Sequence, residues 1–143
     1  MKTIQTKTAI ISFNSIERLV YMRILDGAEI ELECALENQE AVKQLTNGDK
    51  HLLIVDARSI NVYVSKEARA FSAEFKKGDP CIAKAFIVNS TANRLIGNFY
   101  INFNKPAVPT KLFSNEEKAT EWLKSFLYLT ELENIPTKRK KSE

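Results

Sequence analysis

The amino-acid sequence predicts an α/β fold in which a largely parallel sheet, opened by one antiparallel hairpin, is covered by helices. Two observations predict it: the chain begins with two adjoining β-branched apolar segments, and short apolar segments then alternate with amphipathic ones. The chain has 143 residues, of which 44% are apolar and 27% charged. This composition suits one globular domain with its own core, and the predicted order of elements is β-β-α-β-α-β-α-β-α.

The first half of the chain supplies the hairpin, one helix and one buried strand. Residues 8–13 and 19–25 are apolar and β-branched on either side of a polar break, which is typical of an antiparallel hairpin. Apolar positions within residues 31–46 follow helical spacing, and Gly48 provides the stop signal for that helix. Residues 51–55 form a short apolar run between turn signals, which predicts a strand buried on both faces.

The second half contributes three helices and two strands. Ser65 is placed to cap a helix that closes at Gly78, and residues 81–88 follow as a strand. Residues 110–113 form the last strand, and Ser114 begins a capping box that opens the last helix. Residues 128–135 are compatible with a continuation of that helix. Its predicted inward positions are Ala119, Trp122, Leu123, Phe126 and Leu127.

The helix between these two strands carries the clearest apolar stripe in the chain. Because its apolar residues recur at helical offsets, we expect them to face the core. Gly97 lies inside this helix, where it costs about 1 kcal/mol relative to alanine, so it indicates close packing against a neighbour. The polar residues form an Asn-rich stripe that is either a solvated face or a partner surface. The apolar stripe is Ala92, Leu95, Ile96, Phe99, Tyr100 and Phe103, and the polar stripe is Asn93, Arg94, Asn98, Asn102, Asn104 and Lys105.

Positive charge is concentrated at the C-terminal end of the chain. The formal net charge is +3, and residues 136–143 supply all of it with four cations against one acid, so residues 1–135 sum to zero. We therefore divide the chain into one domain, residues 1–130, and a basic tail, residues 131–143, that we expect to be disordered. Without a basic face, the domain is not expected to bind a specific nucleic acid.

The sequence lacks the residue groupings that catalysis, metal binding and cofactor binding require. His51 is the only histidine, and the four glycines are scattered singly, so neither a catalytic constellation nor a phosphate loop is predicted. Cys34 and Cys81 are interpreted as core thiols. No apolar run approaches the roughly 18 residues that span a bilayer, and no secretory signal precedes the domain. We expect a cytoplasmic protein that is not an enzyme and uses no cofactor or metal.

Two segments of the chain resemble a known family. The string VDARSINVYVSKEARAF, residues 55–71, is similar to the stretch of STAS domains in which a central strand ends in an aspartate and leads to a serine at a helix N-terminus. The string NRLIGNFYINFNKPAVPTKLFSNEEKATEWL, residues 93–123, resembles the C-terminal half of small bacterial proteins of the STAS/SEC14 type. The resemblance extends over residues 5–127. It implies the fold of the SpoIIAA-like anti-sigma-factor antagonists.

The resemblance also implies a regulatory serine. In STAS antagonists a kinase phosphorylates a serine at the start of the second helix, and the added charge blocks docking onto a partner. Ser65 is the matching position, and Ser59 is a second candidate in the same loop. The family's Asp-Ser-Ser-Gly pattern is absent, since Val64, Lys66 and Glu67 surround Ser65. The simpler interpretation is that Ser65 acts only as a helix cap.

The sequence supports two hypotheses for function. The first is a non-enzymatic STAS-like protein-interaction module that binds another protein or, through the hairpin edge, a second copy of itself. The alternative is a small-molecule or lipid-binding domain of SEC14 type, which would use the crevice at the carboxyl ends of the strands. Asp56 lies at such a strand end, where it either contacts a ligand or caps local backbone. The candidate binding-surface residues are Asp56, Arg58, Lys66, Arg69, Arg94 and Asn98.

Overall fold

The computed structural model of the chain describes residues 2–74 and 76–134 and confirms the predicted α/β class. Every predicted strand and helix is present, and three short strands are additional. The strands are β1 (Lys2–Gln5), β2 (Ala9–Asn14), β3 (Leu19–Ile24), β4 (Glu29–Ile30), β5 (His51–Asp56), β6 (Tyr63–Val64), β7 (Cys81–Ile87) and β8 (Thr110–Phe113). The helices are α1 (Leu32–Thr46), α2 (Lys66–Ala73), α3 (Thr91–Phe99) and α4 (Glu116–Asn134), and a π-helical turn, Tyr100–Asn104, continues α3.

The main sheet has six strands in the order β1-β2-β3-β5-β7-β8. The pairs β1–β2 and β2–β3 are antiparallel, whereas β3–β5, β5–β7 and β7–β8 are parallel. Strands β4 and β6 pair separately, in parallel. The predicted hairpin of β2 and β3 is therefore confirmed, but β1 covers its outer side. The expectation that the hairpin offers a free edge for self-pairing is wrong, because the edges of this sheet are β1 and β8.

The helices lie on the two faces of the sheet unequally. Each crossover from β3 to β8 moves one strand in the same direction, so right-handed connections place α1, α2 and α3 on one face. Helix α4 follows the last strand and packs on the other face against β5, β7 and β8. Among the described strands, each new parallel strand is therefore added on the same side of the sheet, and the strand order never reverses direction. Ligand crevices of open α/β sheets form where the strand order reverses, so this strand order lends no support to the crevice expected for a small molecule or lipid.

Two apolar cores result, one on each face, and β5 contributes to both. Leu52 and Ile54 point toward α4 and are fully buried, while Leu53 and Val55 pack on the α1 side. The prediction of a strand covered on both faces is thus confirmed. The predicted inward positions of α4 are confirmed as well: Ala119 and Leu123 are fully buried, and the others are half-buried against the same core.

The C-terminal part of the chain is described as far as α4 reaches. This helix continues to Asn134, and residues 135–143, which carry the basic segment, lie outside the described residues. No helix in the described ranges has the length and apolar character that crossing a bilayer requires. Within the same ranges, no cluster of three or more histidine, cysteine, aspartate or glutamate side chains is arranged to hold a metal ion.

Candidate docking surface

Helix α3 turns its apolar residues away from the core, contrary to the expectation from its sequence. Leu95 is 65% exposed and Phe103 is 66% exposed, and Ile96 and Phe99 are each nearly half exposed. We call these four residues the α3 face. Of the predicted inward stripe, Tyr100 alone is buried, at 4% exposure. The prediction that the stripe packs into the core is therefore wrong.

Two residues, one in α3 and one in the turn that continues it, explain why the apolar residues face solvent. A Cβ atom at Gly97 would lie 2.8 Å from Leu112 Cδ2 in β8, so with any other residue here the Leu112 side chain would have to shift for the helix to approach the sheet this closely. The close packing predicted for Gly97 is confirmed. Three residues later, Tyr100 stacks on Phe86 of β7 with ring centroids 5.4 Å apart, and its hydroxyl lies 3.0 Å from Ser72 Oγ in α2. Together these contacts orient the helix, and they turn the α3 face outward.

The side of α3 that faces the sheet is correspondingly polar. Asn93 and Asn104 are half-buried there, and the Oδ1 atoms of both have no hydrogen-bond partner among the described residues. A buried amide oxygen without a donor is destabilising, and so is an apolar stripe left in water. The Asn-rich stripe predicted to be solvated or partner-facing is thus divided: Arg94 and Asn98 are exposed, whereas these two asparagines lie inward.

Arg69 of α2 borders the α3 face. Its guanidinium carbon lies 5.3 Å from the centroid of the Phe99 ring, and Phe99 in turn stacks on Phe103 at 4.8 Å. The Nη1 atom donates to the Val64 carbonyl at 2.7 Å, while the buried Nε has no acceptor in the described part of the chain. Residues 88–115 contain three cations and no acid. The surface therefore combines exposed aromatic and aliphatic groups with positive charge.

The strand-end loop does not present its serines as the sequence suggested. Ser65 is only 2% exposed, and its Oγ accepts the Ala68 amide at 3.0 Å, so its role as the cap of α2 is confirmed. A kinase could not reach that hydroxyl without opening the start of the helix. Ser59 Oγ donates to the Ile24 carbonyl and is half-buried. The expectation of an accessible phospho-acceptor at Ser65 is corrected by this burial.

Asp56 forms an internal cluster rather than an open ligand contact. Its carboxylate accepts the Tyr21 hydroxyl at 2.7 Å, the Arg58 amide at 3.2 Å, and Arg58 Nε and Nη2 at 2.9 and 2.8 Å. Burial alone would raise the pKa of Asp56, but the hydrogen bonds from Arg58 and Tyr21 outweigh it and bring the pKa to about 2. Burial and the bond to Asp56 raise the pKa of Tyr21. The carboxylate is satisfied within the chain, which favours a structural role.

A second polar cluster, not predicted from the sequence, lies at the end of α2. Lys84 Nζ lies 3.4 Å from both Ser72 Oγ and the Tyr100 hydroxyl, a set of groups that elsewhere supports nucleophilic chemistry. Here the amine donates to the Ser72 carbonyl at 2.7 Å, and Lys76 Nζ donates to the Phe71 carbonyl at 2.6 Å. Burial, and then the charge of Lys84, lower the pKa of Lys76. Both lysines satisfy the last carbonyls of α2, as cations at a helix C-terminus commonly do.

Neither of the two best-formed cavities among the described residues suits a sizeable ligand. One encloses about 260 Å³ and the other about 140 Å³, below the 300–1,000 Å³ typical of small-molecule sites. The larger cavity is a shallow depression on the sheet, and the smaller one surrounds the lysine cluster just described. The linings are Ser12, Asn14, Leu19, Tyr21 and Glu116 for the first, and Ser72, Ala73, Glu74, Lys76, Gly78, Asp79, Lys84, Ala107 and Val108 for the second.

The structure divides the predicted surface residues into two groups and one separate residue. Asp56 ends β5, and Arg58 and Ser59 lie in the loop that follows, where they bond to Asp56 or to a neighbouring strand. Arg69, Arg94 and Asn98 border or lie on α3. Lys66 is exposed at the start of α2. The apolar α3 face itself was missed as a site, although the inward-facing Gly97 could have indicated which side of the helix approaches the sheet.

Comparisons with known proteins identify the fold and the family. No curated protein matches the chain. It is similar to the crystal structure of an uncharacterized protein of the DUF3478 family with a SpoIIAA-like fold from Shewanella loihica PV-4. The two are 12% identical with a TM-score of 0.53, and the match covers 85% of this chain and 90% of that one, which confirms the SpoIIAA-like fold. The family model described as Domain of unknown function (DUF7793) matches residues 13–127, and the chain belongs to that family.

Proposed function

We propose that the chain is a non-enzymatic protein-interaction module that binds a partner protein through the α3 face. The observation that supports this most is the exposure of four large apolar side chains on one side of one helix. Burying a leucine, isoleucine or phenylalanine side chain is worth about 1.5–3 kcal/mol. Contiguous apolar patches of a few hundred Å² on monomers are often functional, and the α3 face is of that order.

The size of the α3 face restricts the kind of contact. A standard protein–protein interface buries about 800 Å² on each partner, more than four side chains of one helix provide. The contact would therefore include the neighbouring flank of α2, where Arg69 lies against Phe99. A narrow apolar stripe flanked by a cation suits a partner segment rather than a whole flat surface.

The proposal does not use the strand-end serines or an enclosed ligand. Ser65 is sealed by its capping role, so switching by phosphorylation at that position is not part of it. The alternative of a small-molecule or lipid ligand would need a crevice or a cavity, and the described residues favour neither.

The experiment is affinity purification from the cell that naturally makes the chain, with quantitative mass spectrometry. The test variant is Leu95→Ser with Phe103→Ser. The matched control is Leu36→Ser, since Leu36 is a 46% exposed leucine on α1. We expect the test variant to lose a protein partner that the wild type and the control both retain, with unchanged thermal unfolding. Identical partner sets for all three proteins would contradict the proposal.

A further inference from the structure

We infer that the segment bound by the α3 face is an acidic amphipathic helix, and that Arg69 is the residue that selects its charge. This inference rests on the proposed function and specifies its partner. It follows from three features of the molecule: the linear shape of the apolar stripe, the absence of acids from residues 88–115, and the unused hydrogen-bonding capacity of Arg69.

The shape of the stripe favours a helical partner. Leu95, Phe99 and Phe103 are spaced four residues apart, so they follow one line for about 12 Å along the helix. Partner helices present anchors at the same spacing, and such ridges pack side by side. An extended partner would instead need a free strand edge for its backbone, and a helix whose amides are bonded internally offers none.

The charge around the stripe favours an acidic partner. Residues 88–115 carry no aspartate or glutamate. Lys111 contacts Phe113 on the α4 side of the sheet, so the cations beside the stripe are Arg94 on α3 and Lys105 directly after the turn that continues it. The two ion pairs within the described ranges, Arg58–Asp56 and Lys124–Glu17, lie elsewhere. These cations are therefore available, and complementary charge at the rim of an apolar contact selects partners and their orientation.

The Arg69 side chain is suited to bind a carboxylate at this position. An arginine has five N–H donors, and the described residues engage this one through a single bond, from Nη1 to the Val64 carbonyl. Its contact with the Phe99 ring holds the guanidinium against the stripe. A carboxylate one turn from an apolar anchor would meet the planar donors of this side chain, as arginine–carboxylate pairs do.

The same charges disfavour a second copy of the chain as the occupant. In a symmetric contact between two copies, each α3 face would meet its own counterpart. Arg69 and Arg94 would then lie near their duplicates, and juxtaposed like charges are unfavourable.

The test uses two labelled 18-residue helical peptides that share leucines at positions i, i+3, i+4 and i+7. Their polar positions are glutamate in one and lysine in the other. Fluorescence anisotropy with the full chain measures both affinities, and salt titration reports the ionic part.

Because a charge-assisted hydrogen bond is worth roughly 1.5–3 kcal/mol, we expect the wild-type chain to bind the glutamate peptide at least about tenfold more tightly than the lysine peptide. We expect Arg69→Gln to remove most of that preference, because the glutamate peptide loses its partner charge and the lysine peptide loses a repulsive one. The control Lys43→Gln, which changes an exposed cation on α1, should preserve the preference.

Arg69→Lys serves as a second variant in case Arg69→Gln disturbs the fold, because lysine keeps the positive charge but lacks the paired N–H donors of the guanidinium. We expect it to bind both peptides more weakly and to retain the preference for the glutamate peptide. Equal affinities for the two peptides, or a preference that survives Arg69→Gln, would overturn the inference. If Leu95→Ser with Phe103→Ser abolishes binding of both peptides while the preference is absent, the inference fails and the proposed function stands. If the Leu95→Ser, Phe103→Ser variant binds both peptides as tightly as the wild type does, the inference and the proposed function both fail. Binding of phosphatidylglycerol vesicles without peptide binding would assign the surface to a membrane and overturn both.

Discussion

Helices α3 and α4 flank the last two strands of the sheet from opposite faces, and they treat their aromatic residues in opposite ways. In α4, Trp122 and Phe126 pack on the sheet with Phe113, and Leu123 is fully buried. In α3, Phe99 and Phe103 stack on each other in solvent, and a glycine and two asparagines face the strands. Both segments have the sequence pattern of amphipathic helices, yet only α4 turns its apolar stripe toward the sheet; of the stripe predicted for α3, Tyr100 alone is buried.

The difference shows what fixes a helix on a sheet when several contacts compete. Ala119 and Leu123 leave α4 one favourable side, so its apolar pattern and its packing agree. In α3, the Gly97–Leu112 approach and the Tyr100 hydroxyl contacts with α2 determine the side. The apolar residues are then left outside, which is compatible with stability only if their exposure is tolerated or relieved by a partner.

The largest expected contrast is between two leucines in these helices. Leu123→Ala should lower the free energy of unfolding by about 2–5 kcal/mol, because it opens a cavity in the α4 core. Leu95→Ala should change it by less than about 0.5 kcal/mol, since that side chain is mostly exposed. Urea denaturation of both variants measures the two values. Equal losses of unfolding free energy in the two variants would show that Leu95 is packed as tightly as Leu123, and the contrast between α3 and α4 would be wrong.

The second prediction concerns the close contact between Gly97 and Leu112 that orients α3. Gly97→Val should destabilise the chain by about 2 kcal/mol, because the new side chain overlaps the methyl groups of Leu112. Leu112→Ala should make room for it, so the double variant should be more stable than the sum of the two single changes indicates. Urea denaturation of the four proteins gives the coupling. Strict additivity would mean that this contact does not set the rotation of α3.

The third prediction contrasts paired and unpaired asparagines on the same face of the sheet. Asn38 of α1 donates to Thr8 Oγ1 at 3.0 Å and accepts from Thr6 Oγ1 at 2.6 Å. Asn38→Ala should therefore cost about 1–2 kcal/mol, because it removes the bond from Thr6 and leaves the buried Thr8 hydroxyl without its amide donor. Asn93→Ala should be neutral or stabilising by about 0.5 kcal/mol, because the buried Oδ1 of Asn93 has no donor within the described ranges and alanine favours helix. Thermal unfolding of both variants decides; a comparable loss at Asn93 would indicate a hidden partner.

The last prediction depends on pH and tests the paired polar groups at the end of β5. The folded-state pKa of Asp56, about 2, lies below its ordinary value of 3.8. Its contribution, about 1–2 kcal/mol given a partly solvated Arg58, is therefore complete above pH 5 and is lost as pH falls toward 2. The stability difference between wild type and Asp56→Asn should shrink accordingly in urea titrations from pH 7 to pH 2.5. Tyr21→Phe should show a smaller effect of the same sign. A difference as large at pH 3 as at pH 7 would contradict the assignment.

Sequence reasoning succeeded where a single pattern decided the structure. The apolar run of β5 and the spacing of Ala119, Leu123 and Phe126 each have one favourable arrangement, and both were predicted correctly. The cap at Ser65 was also predicted, since a local hydrogen bond defines it. Strand β1 was missed because its four residues carry no clear apolar alternation and are held by pairing with β2.

Sequence reasoning failed where residues far apart in the chain decide the outcome. The hydroxyl of Tyr21 reaches Asp56 across 35 positions, and Leu112 meets Gly97 only once β8 has paired with β7. Hydrophobic periodicity predicts that a helix has two faces, but it does not show which face meets the sheet. For α3 that choice creates the candidate site, and the close packing predicted for Gly97 was the one sequence signal that pointed to the side facing the sheet.

The central claim is that the α3 face is open to solvent in the folded full-length chain, and hydroxyl-radical footprinting with mass spectrometry tests it most directly. Comparison within one residue type removes differences in intrinsic reactivity, so Leu95 is measured against Leu123 and Phe103 against Phe113. In the monomeric protein we expect Leu95 to be oxidised several times faster than the fully buried Leu123, and Phe103 to be oxidised faster than the half-buried Phe113. Equal protection of Leu95 and Leu123 would show that the chain covers this face itself, and the account of α3 as a docking surface would be wrong.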